Sequence, residues 1–164
     1  NLKLAMSLNC PIVIGTTGLS AENHKLIKKA SETIPILWAP NFSLGMTLMG
    51  YLLKSIAPLT AKTFKTEIKE IHHIHKKDTP SGTALTLEQL LKEANASLTP
   101  INSQREGETI GVHEVTFTSS SETLRITHEA LNRDVFAKGA LQAARILSKR
   151  PPGLYSLERL LIAS

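Results

Sequence analysis

Pro11-Ile12-Val13-Ile14-Gly15-Thr16-Thr17-Gly18 is a short apolar run that ends in a glycine-containing turn. Its β-branched residues and its length mark a buried strand. Ser20 follows as an N-cap with Glu22 in the first helical turn, and a helix is predicted to about Glu32. Pro35-Ile36-Leu37-Trp38-Ala39-Pro40 is a second buried strand. Strand, helix, strand at this spacing is a βαβ unit, which requires a parallel sheet. Ligands on such sheets bind at the carboxyl ends of the strands. Those ends are Gly15–Gly18 and Ala39-Pro40-Asn41-Phe42. Upstream, Leu2–Leu8 reads as the tail of a helix that feeds the first strand. The chain does not start with Met, so a natural beginning further upstream is expected.

Beyond this unit the pattern changes. Ser43 to about Ile56 is predicted as a helix with Leu44, Leu48, Leu52 and Ile56 on its apolar face. From Lys62 to His73 the period becomes two: Phe64, Thr66, Ile68, Glu70 and His72 share one face of a strand. A helix is expected over 81–96, then strands over 109–119 and 123–128 as in a half-buried antiparallel sheet. Asp134 starts a helix with Phe136, Ala140, Ala144 and Leu147 on one face, stopped by Pro151-Pro152, and a short helix runs from Ser156 to Ala163. The fold class is therefore α/β followed by an α+β part with a mixed, mainly antiparallel sheet.

The 164 residues carry a net charge of +5. Lysines and arginines are scattered and aromatics make up only 4%, so no basic stripe with stacking residues points to nucleic acid. Local basicity suits a small anion instead. The most apolar stretch, Leu44 to Leu59, is interrupted by Lys54 and Pro58, which argues against a membrane span. The single Cys10 excludes an internal disulfide, fits a reducing compartment, and is read as inert packing.

The chemistry concentrates in Glu70-Ile71-His72-His73-Ile74-His75-Lys76-Lys77-Asp78-Thr79-Pro80-Ser81-Gly82-Thr83-Ala84. His72 and His73 are adjacent on a strand and face opposite sides, whereas His73 and His75 can share one. A metal site, structural histidines, and acid–base chemistry on an anion all compete here. Asp78 is the only further ligand at hand, so the metal reading is the weakest and no metal is assigned. Histidine donates protons near neutral pH, and a lysine among cations has its pKa pushed down. Thr79 or Ser81 caps the following helix, whose first N–H groups, at Gly82 and Thr83, suit an anion.

Taken together, these residues resemble the dihydrodipicolinate reductase family, also called 4-hydroxy-tetrahydrodipicolinate reductase, of lysine and diaminopimelate biosynthesis. The resemblance rests on Val13–Gly18, Ala39–Gly45, the 70–84 signature, and Arg105-x-Gly107-x-x-x-Gly111-x-His113-x-Val115-x-Phe117. It extends through Ile126-Thr127-His128-x-Ala130-x-x-Arg133 and Phe136-Ala137-x-Gly139-Ala140. It implies a cytoplasmic enzyme that reduces a cyclic dicarboxylate with NADH or NADPH. By the resemblance, His72 and Lys76 are proton donors, and His73, Ser81, Gly82 and Thr83 hold substrate. Gly15, Thr16, Thr17, Ala39, Pro40, Asn41 and Phe42 contact the cofactor, and Arg133 is a further substrate contact. It also implies part of a Rossmann-type dinucleotide-binding domain over 1–43, rejoined by 134–164. A substrate-binding and tetramerisation domain spans 44–133. The family's glycine-rich fingerprint does not occur in these residues, so the chain by itself is expected to be inactive. The rival reading is a non-catalytic module that binds a dicarboxylate or oligomerises.

Overall fold

The structure, a computed structural model, describes residues 1–162. In chain order the elements are α1 (Leu2–Ser7), β1 (Ile12–Ile14), α2 (Ala21–Ala30), β2 (Pro35–Trp38) and α3 (Leu44–Thr60). Next come β3 (Lys65–His72), α4 (Gly82–Glu93), β4 (Ser97–Leu98), β5 (Asn102–Arg105), β6 (Val112–Thr118) and β7 (Thr123–Glu129). The last are α5 (Asp134–Leu147), β8 (Gly153–Tyr155) and α6 (Leu157–Leu161). They form two compact units, Asn1–Leu44 with the segment from Asp134 onward, and Gly45–Arg133.

In the first unit β1, β2 and β8 make a parallel sheet in that order, with Val13 opposite Leu37 and Leu37 opposite Tyr155. The βαβ reading thus holds. Ser20 Oγ accepts the Asn23 N–H at 3.2 Å and caps α2, which buries Ile27 and Ala30 against Ile34 and Ile36. α5 packs Ala143 and Leu147 with Leu37, Tyr155, Leu157 and Leu160. Each of these leucines, fully buried, contributes about 1.5–3 kcal/mol. The buried line on α5 is Gly139, Ala143 and Leu147, one position round from the face read in the sequence. β8 lacks any sequence signal beyond three residues after a proline pair. The predicted last helix begins after its Ser156 cap, whose Oγ accepts the Arg159 N–H. Ala163, where it was read to end, lies outside the described residues. Cys10 is exposed rather than packed.

The second unit is a five-stranded sheet in which β6 pairs β3 and β7 antiparallel. The short β4 and β5 both pair β3 in parallel. β3 shows the predicted alternation: Thr66, Ile68, Glu70 and His72 are buried. α3 and α4 supply Met46, Met49, Leu53, Ala57, Leu87 and Leu91 to the core over Ile68, Val115 and Phe117. The sequence reading of α3 needs correction. Leu44, Leu48 and Leu52 are exposed, and Met46, Met49 and Leu53 face the core. α3 is apolar nearly all round, so its period does not select a face. It also continues through Pro58 to Thr60. The opposite sheet face is polar, carrying Lys65, Glu67, Lys69, Glu114, Thr116 and Thr127. There the Thr127 hydroxyl donates to Glu114 at 3.1 Å.

Candidate active site

In the second unit, two residues on the buried face of β3 start the site. Side chains at i and i+2 of a strand point the same way, so Glu70 and His72 lie side by side. Glu70 is fully buried, and its Oε2 pairs with His72 Nδ1. Its Oε1 accepts from Arg105 Nη1 at 2.9 Å and from the Ser81 N–H at 3.3 Å. Arg105 arrives because β5 pairs β3 with Arg105 opposite His72. It also donates to the Gln104 and Asp78 carbonyls and, at 2.9 Å, to Thr79 Oγ1. One guanidinium thereby ties the end of the sheet to the turn that leads into α4.

Ser81, not Thr79, caps α4; its Oγ accepts the Ala84 N–H at 3.2 Å. The same Oγ lies 3.3 Å from Nε2 of His113, which is opposite Glu70 in the β3–β6 ladder. The His113 ring meets His72 edge-on with centroids 5.1 Å apart. Gly82 is exposed, and nothing lies within 4 Å of where a Cβ would sit, so the helix start is open there. Lys76 Nζ pairs with Asp78 at 2.8 Å. That pairing, with a hydrogen bond from the Gly82 backbone, holds the Asp78 pKa below its ordinary value. A carboxylate of the chain itself is therefore bound at Lys76 and the α4 N-terminus. Just past the end of β3, Arg133 Nη2 donates to His73 Nε2 at 3.3 Å, and the His73 and His75 rings are 6.2 Å apart.

The protonation states follow from burial and neighbours. Burial works to raise the Glu70 pKa. Hydrogen bonding from Arg105, Ser103 and His72 outweighs it, so the carboxyl stays below its usual value. Burial lowers the His72 pKa, the charges of Lys76 and Arg105 lower it further, and Glu70 opposes both. His113 is pushed down to about 4, by burial first and by His72 next. Glu70, His72 and His113 approach one another within the 4.8 Å span of a metal-ligand set. Arg105 already occupies the carboxylate and Lys76 adds a second cation, so this cluster suits a proton and an anion better than a metal.

In the first unit, Gly15, Thr16 and Thr17 form an exposed turn after β1, and Ala39–Phe42 follow β2. Parallel pairing sets these strand ends side by side: Trp38 Nε1 donates to the Thr16 carbonyl at 3.0 Å, and Asn41 Oδ1 accepts the Ser43 N–H at 2.8 Å. A Cβ on Gly15 would come within 3.1 Å of the Phe42 ring. Bare backbone beside an aromatic ring fits the flat ring of a nicotinamide. The sequence reading assigned no role to Glu70, Arg105 or His113. For Glu70 the signal was present, since it shares the period-two face of His72.

Comparison with known proteins agrees along nearly all of the chain. The family described as dihydrodipicolinate reductase, N-terminus, matches residues 1–42, and its C-terminus counterpart matches 45–161. The chain is 44% identical over 161 residues to the 4-hydroxy-tetrahydrodipicolinate reductase of Bdellovibrio bacteriovorus, covering 98% of this chain and 69% of that one. With the Pelagibacter ubique protein of the same name, identity is 42%, covering 98% and 70%. Among solved structures, the dipicolinate-bound dihydrodipicolinate reductase of Paenisporosarcina sp. TG-14 superposes with TM-score 0.79 at 25% identity. That match covers 98% of this chain and 68% of that one. Family matches over 1–42 and 45–161, with a relative 44% identical over 98% of the chain, place this chain in the dihydrodipicolinate reductase family.

Proposed function

We propose that the chain provides the substrate site and proton donors of an NAD(P)H-dependent oxidoreductase. The reaction converts 4-hydroxy-tetrahydrodipicolinate, hydride and a proton to tetrahydrodipicolinate, with the hydroxyl leaving as water, in lysine and diaminopimelate biosynthesis. The observation that carries this reading is the buried Glu70–His72 pair one hydrogen bond from the N-terminus of α4. An acid and an anion-binding helix end are thus fixed together, as reduction of a cyclic dicarboxylate needs. His72 is the acid, Lys76 the second donor, and His73, Ser81, Gly82 and Thr83 hold the carboxylates. The nicotinamide supplies the hydride. Gly15, Thr16, Thr17 and Ala39–Phe42 would border it. The reading takes 1–43 with 134–164 as part of the dinucleotide-binding domain and 44–133 as the substrate domain. It also takes the β3–β7 sheet as the seat of a homotetramer, and the cytoplasm as the location.

Two measurements test this. Calorimetric titration with pyridine-2,6-dicarboxylate should show binding that is lost with Ser81 and His73 replaced. Assay of the full-length protein, since this chain spans about 69% of its Bdellovibrio relative, with the substrate and each of NADH and NADPH should show nicotinamide oxidation. Failure of both would remove the reductase reading. Sedimentation equilibrium at micromolar concentration checks the tetramer, and a clean monomer would contradict it.

A further inference from the structure

We propose that Glu70 is the positioning residue that locks the His72 acid and the Ser81–Thr83 anion cradle into one geometry, with Arg105 as its clamp. This rests on the reductase reading above. The three groups on the Glu70 carboxylate come from three places: His72 from β3, Arg105 from β5 and the Ser81 N–H from the start of α4. All three are donors, so the buried carboxylate is ionised and satisfied. Oε2 serves His72 Nδ1 and Oε1 serves the other two, so each half of the carboxylate fixes one half of the site.

The consequence for His72 is chemical as well as geometric. An ionised carboxylate only accepts, so the Nδ1 proton is retained and Nε2 is the nitrogen that gains and loses a proton. Nε2 faces Gly111, where an added Cβ would sit 3.0 Å away, so the absent side chain leaves it room. The charges around the ring are Glu70 on its own strand, Lys76 in the following turn, Arg105 on β5 and the neutral His113 on β6. Of these only Glu70 favours the imidazolium. A plain core ion pair that lost its charge would cost stability but would leave the His72 tautomer and the pH dependence of turnover where they were. A positioning residue would not.

Glu70→Gln separates the two. It keeps the shape and an oxygen for Arg105 but loses the charge. The expected result is kcat lower by about 10²–10³ with KM changed far less. The loss of activity with rising pH, which follows deprotonation of His72, should move to lower pH, because the group that raised its pKa is gone. Glu70→Asp should restore part of the rate. Nitrogen NMR of the unsubstituted protein should find neutral His72 protonated at Nδ1, with a strongly deshielded proton. Unchanged kcat and an unmoved pH limb in Glu70→Gln would overturn the proposal. If that variant does not fold, the NMR measurement decides, and a neutral His72 protonated at Nε2 overturns it. If the unsubstituted full-length protein neither binds the dicarboxylate nor oxidises NAD(P)H, the reductase reading fails. The tautomer and the Glu70→Gln spectrum then still report on the Glu70–His72 lock by itself.

Discussion

His113 Nε2 lies 3.3 Å from Ser81 Oγ, and its other nitrogen, Nδ1, is buried with no hydrogen-bond partner among the described residues. A second proton on this ring would leave a charged N–H without an acceptor. Burial first and the charge of His72 next lower the pKa to about 4 from its ordinary 6.5, and the missing acceptor acts in the same direction. The unfolded chain takes up this proton near 6.5 and the folded chain only near 4. Between those values the unfolded state holds more protons, so stability falls as pH is lowered. The group contributes up to about 3 kcal/mol above pH 6.5, lost progressively towards pH 4. Burial lowers the pKa of His72 and His128 too, with the same sign. Denaturant midpoints measured from pH 7.5 to 4 should therefore decline, and His113→Gln should flatten part of the slope. A midpoint constant across that range would show that His113 is not held neutral.

Gly111 makes the space in front of His72 Nε2. An alanine there would put its methyl 3.0 Å from Nε2 and 3.7 Å from Cε1 of His113. The buried His72 ring cannot swing clear without giving up Glu70. Gly111→Ala should lower kcat by about tenfold or more, because a small displacement of a proton donor is felt steeply. The overpacking itself should cost about 1–3 kcal/mol of stability. A kcat within about twofold of the parent would place the proton transfer elsewhere.

How much of this was legible in the sequence depends on what each segment's pattern could encode. β3 was readable because alternate burial of Thr66, Ile68, Glu70 and His72 is a local, period-two property. The βαβ unit was readable from two apolar runs and a capped helix. α3 was readable as a helix but not by face, since Leu44, Leu48 and Leu52 are as apolar as Met46, Met49 and Leu53. β5, Asn102-Ser103-Gln104-Arg105, is polar and short, so its identity comes only from pairing with β3. That pairing carries Arg105 to a carboxylate far away in sequence. The role of Arg105 is a product of register, which one sequence does not spell out.

Two glycines contrast close approach with open space. A Cβ on Gly139 of α5 would lie 1.8 Å from the Phe42 carbonyl oxygen, an overlap that only backbone movement relieves. Gly139→Ala should cost about 3 kcal/mol or more and disturb the segment that carries Asn41 and Phe42. Gly82 has nothing within 4 Å of its Cβ position, and alanine favours a helix, so Gly82→Ala should be neutral or stabilising by about 0.5–1 kcal/mol. Its methyl would nonetheless stand where a carboxylate approaches the α4 N-terminus, and affinity for pyridine-2,6-dicarboxylate should fall. Thermal melts and calorimetry of the two variants check both halves. A Gly139→Ala protein as stable as the parent would contradict the packing argument.

His72 and Lys76 should be separable as donors by their pH behaviour. His72 is buried and joined to Glu70, whereas Lys76 is partly exposed and held by Asp78 at 2.8 Å. Either His72→Gln or Lys76→Ala should cut kcat by about 10²–10⁴, the range for a lost general acid. The residual activities should differ in shape. Lys76 is among the cations that lower the His72 pKa, so its removal should move the alkaline loss of activity to higher pH. His72→Gln should abolish that limb altogether. His73→Gln, which breaks the contact with Arg133 instead, should weaken substrate binding. Profiles of kcat against pH for the three variants decide the assignment. A His72→Gln enzyme that kept the parental limb would transfer the role of titrating acid to another residue.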